Sequence, residues 1–89
     1  MARYEASFSE ITEAAALGGA PDALLELGLM YCTGREVATD LVEAHKWFNL
    51  AALRGNEDAR RYRTELAREM TRTQIGRAQK AAREWMSCH

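Results

Sequence analysis

Apolar residues recur along the chain at the spacings of three and four that place side chains on one face of an α-helix. The clearest such stripe lies near the C-terminus and consists of Ile75, Ala78, Ala82, Trp85 and Met86. No segment alternates convincingly between apolar and polar residues, so the sequence predicts no sheet. The pattern instead predicts five helices, near residues 5–18, 21–33, 40–54, 57–70 and 72–87.

Residues that start and stop helices divide these segments. Gly19, Gly34 and Gly55 lie between the predicted segments, and Pro21 stands at the start of the second one, where proline is tolerated. Asp40 with Glu43, and Thr71 with Gln74, have the spacing of a capping box, and Asn56 is a further N-cap candidate. The third, fourth and fifth helices are therefore expected to begin at these caps.

The chain also repeats itself. At an offset of 36 residues, AALGGAPDA at residues 15–23 aligns with AALRGNEDA at residues 51–59, and six of the nine positions are identical. A period of this length indicates stacked helical units that cannot bury their apolar faces alone.

One stretch has a recognisable motif. From Ala23 to Gly34 the chain reads A-x-x-x-L-G-x-M-Y-x-x-G, and the pattern continues with Val37, Asp40, Ala44, Trp47, Phe48, Ala51, Ala52 and Gly55. This resembles a Sel1-like (Sel-one-like) repeat over residues 23–55 nearly position for position. The C-terminal string MTRTQIGRAQKAAREW is also similar to the ends of many bacterial proteins of this kind.

The resemblance implies an all-α fold: a short right-handed α/α solenoid of about five helices, related to the tetratricopeptide repeats. We expect one domain over residues 1–89, in which a half repeat (5–19) and a degenerate capping repeat (56–89) flank the full repeat (20–55). The motif residues have packing reasons, because alanines keep a helix surface shallow and a glycine lets a facing helix approach. The expected core comprises Leu27, Gly28, Met30, Tyr31, Ala44, Trp47, Phe48, Ala51 and Ala52.

Composition and charge narrow the functional classes. Residues 1–53 hold three basic and eight acidic side chains, whereas residues 54–89 hold nine basic and five acidic ones. Neither a targeting segment nor a membrane-spanning run is evident, and the two cysteines show no CxxC spacing. We therefore expect a cytoplasmic protein with reduced thiols and no membrane partner.

Residues that could carry chemistry are few. Cys32, His45, Cys88 and His89 fit no metal-ligand spacing, and His45 is expected on a solvated side of its helix. The pair Gly18 and Gly19 lacks the strand and the Lys-Ser/Thr that a phosphate loop needs. No carboxylate is forced into an apolar setting by its neighbours. The sequence thus predicts no enzyme, no catalytic residue, no metal and no cofactor.

The resemblance implies a scaffold or adaptor that binds a protein partner. On the second helix, Asp22, Leu25, Leu29 and Cys32 form a row that the motif leaves free, and the offset of 36 gives Asp58, Arg61, Glu65 and Arg68 of the fourth helix. The candidate groove consists of Asp22, Leu25, Leu29, Arg61, Glu65 and Arg68, unless Leu25 and Leu29 pack beneath the first helix. Two further functions remain possible alternatives. The first is a weak homodimer, and the second is nucleic-acid or anion binding through the Arg-rich C-terminal half. Spacings such as Glu57 with Arg61 and Glu65 with Arg61 argue against the second, because they indicate charge pairing within helices.

Overall fold

The structure, a computed structural model, describes residues 7–88 without the side chains of Ser9 and Ala16. It consists of five helices: α1 (Phe8–Gly18), α2 (Pro21–Thr33), α3 (Leu41–Leu53), α4 (Glu57–Ala67) and α5 (Arg72–Cys88). No strand occurs between residues 7 and 88. The predicted all-α class is confirmed. Residue 5 itself lies outside the described residues, but α1 begins at Phe8, after the extended N-cap Ser7, and not at the predicted start.

The helices begin at the predicted caps. The Asp40 carboxylate accepts a hydrogen bond from the Glu43 N–H at 3.1 Å, and the Asn56 side chain accepts one from Ala59 N–H at 2.9 Å. Thr71 and Gln74 form a reciprocal capping box: Thr71 Oγ1 accepts from Gln74 N–H at 3.1 Å, and Gln74 Oε1 accepts from Thr71 N–H at 2.9 Å. Local chemistry therefore sets these three helix starts.

The fourth helix ends earlier than the sequence predicts. It stops at Ala67 instead of residue 70, and the N–H groups of Arg68, Glu69 and Met70 each bond to the carbonyl three residues earlier. Such bonds tighten the end of a helix. The connection to α5, which begins at the capping box of Thr71 and Gln74, is therefore a tight turn that is longer than predicted.

Helix α3 is the centre of the packing, because α2, α4 and α5 all contact it, while α1 packs against α2. Most of the expected core residues are buried: Leu27, Gly28, Met30, Ala44, Trp47, Phe48 and Ala51. Tyr31 and Ala52 are instead half-buried at the edge of the core. Tyr31 lies in the last turn of α2, where its ring meets the edge of Phe8 at a centroid distance of 5.8 Å. Burial, with Glu43 and Asp40 nearby, raises the pKa of its phenol.

Gly28 explains how closely α2 and α3 approach. A Cβ atom at this position would lie 2.4 Å from Cδ1 of Phe48, whose ring is fully buried. The absence of a side chain at Gly28 is therefore what lets the Phe48 ring reach the backbone of α2.

Polar contacts join the start of α2 and the turn before it to the turn that precedes α4. Asn56, which caps α4, also donates a hydrogen bond from Nδ2 to Asp22 Oδ1 in the first turn of α2 at 3.2 Å. Arg54 similarly donates to the carbonyl of Gly19 at 3.3 Å. None of the helices described is long and apolar enough to span a membrane.

Candidate partner-binding site

A row of half-buried apolar side chains runs between α2 and α4. A small buried cluster of Ala44, Phe48 and Leu66 lies beneath it. The partly exposed side chains packed on this cluster are Leu25, Leu29, Tyr31, Cys32, Leu41, Tyr62 and Met70. Because α2 and α4 lie side by side on α3, we name this surface the α2–α4 groove, with Leu25, Leu29 and Cys32 on one wall and Tyr62 and Met70 on the other.

The structure brings together only part of the predicted row. Leu25 and Leu29 both lie in the groove, and Leu29 packs on the cluster formed by α3 and α4. Leu25 packs on this cluster and also on the main core, to which α1 contributes Ile11 and Ala15, so the alternative of packing against α1 holds in part for Leu25. Asp22 is exposed near one end of the groove, where it binds Asn56.

The three predicted residues of α4 lie outside the apolar row. Arg61, Glu65 and Arg68 are exposed, because the apolar side of α4 is carried by Tyr62 and Leu66, one position further along the chain. Within residues 7–88 the ion pair of Arg61 is with Asp58, at 3.4 Å, so the predicted charge pairing within the helix occurs, but with Asp58 instead of Glu57 or Glu65. A repeat offset cannot predict which side of a degenerate helix faces the core.

Tyr62 and Met70 are groove residues that the sequence analysis missed. The ring of Tyr62 stacks on that of Phe48 with centroids 5.4 Å apart and planes 20° apart. The available signal was the spacing of four residues between Tyr62, Leu66 and Met70 in an otherwise charged segment. That spacing places them on one side of the predicted helix 57–70, although Met70 lies in the turn after α4.

Cys32 closes one end of the groove wall. Burial raises the pKa of the Cys32 thiol, and the nearby carboxylate of Glu69 raises it further. The thiol is therefore protonated at neutral pH and behaves as a small apolar side chain. Uncharged side chains thus line both walls of the groove.

His45 corrects a second expectation. It is only 3% exposed instead of solvated, and its Nδ1 has no hydrogen-bond partner. Burial, and secondarily the charge of Arg63, lowers the pKa of the imidazole below the usual 6.5. The imidazole is therefore neutral at physiological pH. No group of three or more metal-ligating side chains occurs within residues 7–88, and His89 lies outside that range.

The buried His45 makes stability depend on pH. Between its lowered folded-state pKa and 6.5, the unfolded chain binds a proton at His45 that the folded protein does not bind. The free energy of unfolding therefore decreases as the pH falls through this window. We expect the melting temperature of the wild type, relative to that of His45→Leu, to fall between about pH 7.5 and about pH 5.5. Parallel pH profiles for the two proteins would contradict the assignment.

The basic residues of the C-terminal half form no aromatic stacking surface. Exposed side chains include Arg60, Arg61, Arg68, Arg72, Arg77, Lys80 and Arg83. Every aromatic side chain described is buried or half-buried, and Trp85 packs edge-on against Trp47 at 5.8 Å. The stacking platforms typical of single-strand nucleic-acid binders are therefore absent from the described surface.

The helix pair at the centre of the fold matches a known family. Residues 21–56 match the family model of the Sel1 repeat, a range that begins with α2 and ends at the N-cap of α4. Neither the curated proteins nor the solved structures gave a significant match. Sel1 repeats generally mediate protein–protein interaction and are non-catalytic modules. The chain therefore contains a Sel1 repeat, formed by α2 and α3.

Proposed function

We propose that this protein is a non-catalytic binding module that holds a segment of a protein partner in the α2–α4 groove. The observation that carries the proposal is the row of half-buried apolar side chains above Phe48. The groove residues of α2, from Leu25 to Cys32, span about 10 Å, which matches about two turns of a partner helix. Grooves of this kind bind amphipathic helices through apolar anchors spaced by three and four residues.

The charges beside the groove support selectivity for the partner. Asp22 lies at one end, Glu69 lies near Cys32, and Arg61, Glu65 and Arg68 are exposed on α4 beside Tyr62 and Leu66. Charges at the edge of an interface mainly set orientation and partner choice, while buried apolar anchors supply most of the affinity. In this proposal Leu25 and Leu29 are anchors and the charged residues set the register.

The proposal includes a repeat organisation. We assign α1 to a half repeat (5–19), α2 and α3 to the full repeat (20–55), and α4 and α5 to a degenerate capping repeat (56–89). The two faces of α5 support the last assignment. Ala78 and Ala82 are buried, whereas Arg77, Lys80 and Arg83 are exposed. A terminal unit of a solenoid must present such a polar outer face.

Substitution of two groove leucines tests the proposal. Leu25→Gln with Leu29→Gln keeps helix-forming residues of similar length, so we expect the fold to survive a loss of about 1 to 2 kcal/mol from two half-buried side chains. Partner capture from a cell lysate should fall by about tenfold or more. Quantitative affinity capture and a thermal melt of the same protein measure the two effects.

Leu17→Gln with Leu53→Gln is the matched control. These leucines are 81% and 60% exposed and lie outside the groove. The control should capture partners as the wild type does. If the groove variant stays folded and also captures every partner of the wild type, the groove is not the binding site.

Nuclease treatment distinguishes the alternative function. The exposed arginines would favour an RNA or DNA partner, and such binding falls steeply with salt. Capture that survives nuclease digestion and moderate salt supports a protein partner. Capture that disappears on digestion supports the nucleic-acid reading.

Two further parts of the proposal concern assembly and location. A weak homodimer is a variant of the same binding activity, supported by the excess of acidic residues in the first half and of basic residues in the second. An untagged copy of the chain recovered on a tagged one in the capture experiment would detect it.

The free thiols of Cys32 and Cys88 support a cytoplasmic location, which cell fractionation checks.

A further inference from the structure

A second concave site lies between α3, α4 and α5, apart from the α2–α4 groove. It is a cleft of about 410 Å³ whose walls are His45, Asn49, Arg63, Thr64, Ala67, Ile75 and Gln79. This volume falls in the range of small-molecule sites in proteins.

The cleft exists because the last helix pair lacks the packing of the matched repeat. In α2 and α3, the ring of Phe48 fills the space above Gly28. Thr64 occupies the same position along α4, counted from the N-cap Asn56, as Gly28 occupies along α2, counted from the N-cap Ala20. In the same way, Gln79 of α5, counted from Thr71, corresponds to Phe48 of α3, counted from Asp40. A Phe–Gly contact is thus replaced by Gln and Thr, which leaves a polar opening between α4 and α5.

A cation lies in this opening. Arg63, at the position that corresponds to the core residue Leu27, is half-buried and donates a hydrogen bond from Nη1 to Asn49 Oδ1 at 2.6 Å. Within residues 7–88 no carboxylate lies within ion-pair distance of Arg63, and none lines the cleft. A guanidinium held by a neutral amide keeps its full charge and further donors for an incoming anion.

His45 supplies an independent sign of an incomplete site. Its imidazole lines the cleft, is almost fully buried, and has no partner for Nδ1. Buried polar atoms are nearly always paired, so the unpaired Nδ1 shows that the hydrogen bonding of this wall of the cleft is incomplete. Asn49, Thr64 and Gln79 add neutral hydrogen-bonding groups around the same space.

We propose that the cleft between α3, α4 and α5 binds a carboxylate group, with Arg63 as its cationic partner and Asn49 and Gln79 as polar contacts. Arginine presents a planar fork of donors that matches a carboxylate. The carboxylate can come from a small free acid or from an acidic side chain of a protein partner. This site is separate from the groove, so either proposal can fail without the other.

Titration of the isotopically labelled protein followed by NMR tests the cleft. The probes are glutarate and its neutral counterpart glutaramide, and the blocked peptides acetyl-Gly-Glu-Gly-amide and acetyl-Gly-Gln-Gly-amide. We expect saturable shifts of the Arg63 Nε–H and of the Asn49 and Gln79 amide signals with a carboxylate probe, and none with its neutral counterpart. Binding of glutarate indicates a free acid, whereas binding of the Glu peptide alone indicates a side chain of a partner.

Variants identify the residues responsible. Arg63→Gln should weaken binding by about tenfold or more, while Arg60→Gln, which changes an exposed arginine of the same helix, should leave it unchanged. Gln79→Glu changes an exposed residue and does not endanger the fold, and its carboxylate should occupy the cleft and block the probes. The proposal is overturned if no carboxylate probe gives saturable shifts, or if Gln79→Glu binds the probes as the wild type does.

Discussion

Trp47→Ala is expected to destabilise the protein by about 3 to 5 kcal/mol, because it replaces a buried indole with a cavity. The indole is 9% exposed and packs edge-on against Trp85 from α5, with ring centroids 5.8 Å apart. Its Nε1 donates a hydrogen bond to Glu43 Oε2 at 3.1 Å. For a domain of this size such a loss lowers the melting temperature by about 4 to 8 °C per kcal/mol. Circular dichroism should therefore show a protein that is close to fully unfolded at moderate temperature.

Trp47→Phe separates the two contributions of this residue. Phenylalanine keeps an aromatic ring in the core but cannot donate to Glu43, so we expect a smaller loss of about 1 to 2 kcal/mol. If Trp47→Ala instead melted within a few degrees of the wild type, Trp47 could not link α3 to α5.

Gly28→Ala is expected to cost about 2 kcal/mol, although alanine favours helices over glycine by about 1 kcal/mol. The added Cβ would lie 2.4 Å from Cδ1 of Phe48, and that ring is fully buried and cannot move away freely. Overpacking of this kind forces side chains off their rotamers or shifts the backbone. Chemical denaturation of the variant and the wild type measures the difference.

Gly76→Ala is the matched control for this substitution. Gly76 lies within α5, is exposed, and has no atom within 4 Å of an added Cβ. The same chemical change should therefore stabilise the protein there by about 0.5 to 1 kcal/mol. Equal effects at the two glycines would contradict the close approach of α2 and α3.

A double substitution locates the clash. Phe48→Leu removes part of the ring that Gly28 accommodates, so Gly28→Ala should cost less in the Phe48→Leu protein than in the wild type. Additive costs would place the strain elsewhere in α2.

The repeat and its helices could be predicted largely from the sequence. Caps such as Asp40, Asn56 and Thr71 act on N–H groups three residues away, so their effect is legible in the chain itself. The motif from Ala23 to Gly55 likewise identified α2 and α3, and the family match over residues 21–56 agrees. The burial of Leu27 and Phe48 follows from the same periodicity, because each helix has one face toward its neighbour.

The candidate site was predictable only in part. Leu25 and Leu29 stood out because the motif leaves them free, and both lie in the groove. Their opposing wall was missed because α4 departs from the repeat, and its side facing Phe48 carries Tyr62 instead of Arg61. A rule that copies positions from one repeat to the next fails where the second repeat has different side chains to bury.

The sequence by itself determined where the helices start, that they stack as a repeat, and that no segment forms a strand within residues 7–88. These properties depend on hydrogen bonds and side-chain spacings within a few residues. Only the tertiary structure decided that His45 is buried and that a polar cleft opens beside Arg63. Burial depends on which helices pack around a residue. The cleft is present because α4 and α5 lack the contact that Phe48 makes with Gly28 between α3 and α2.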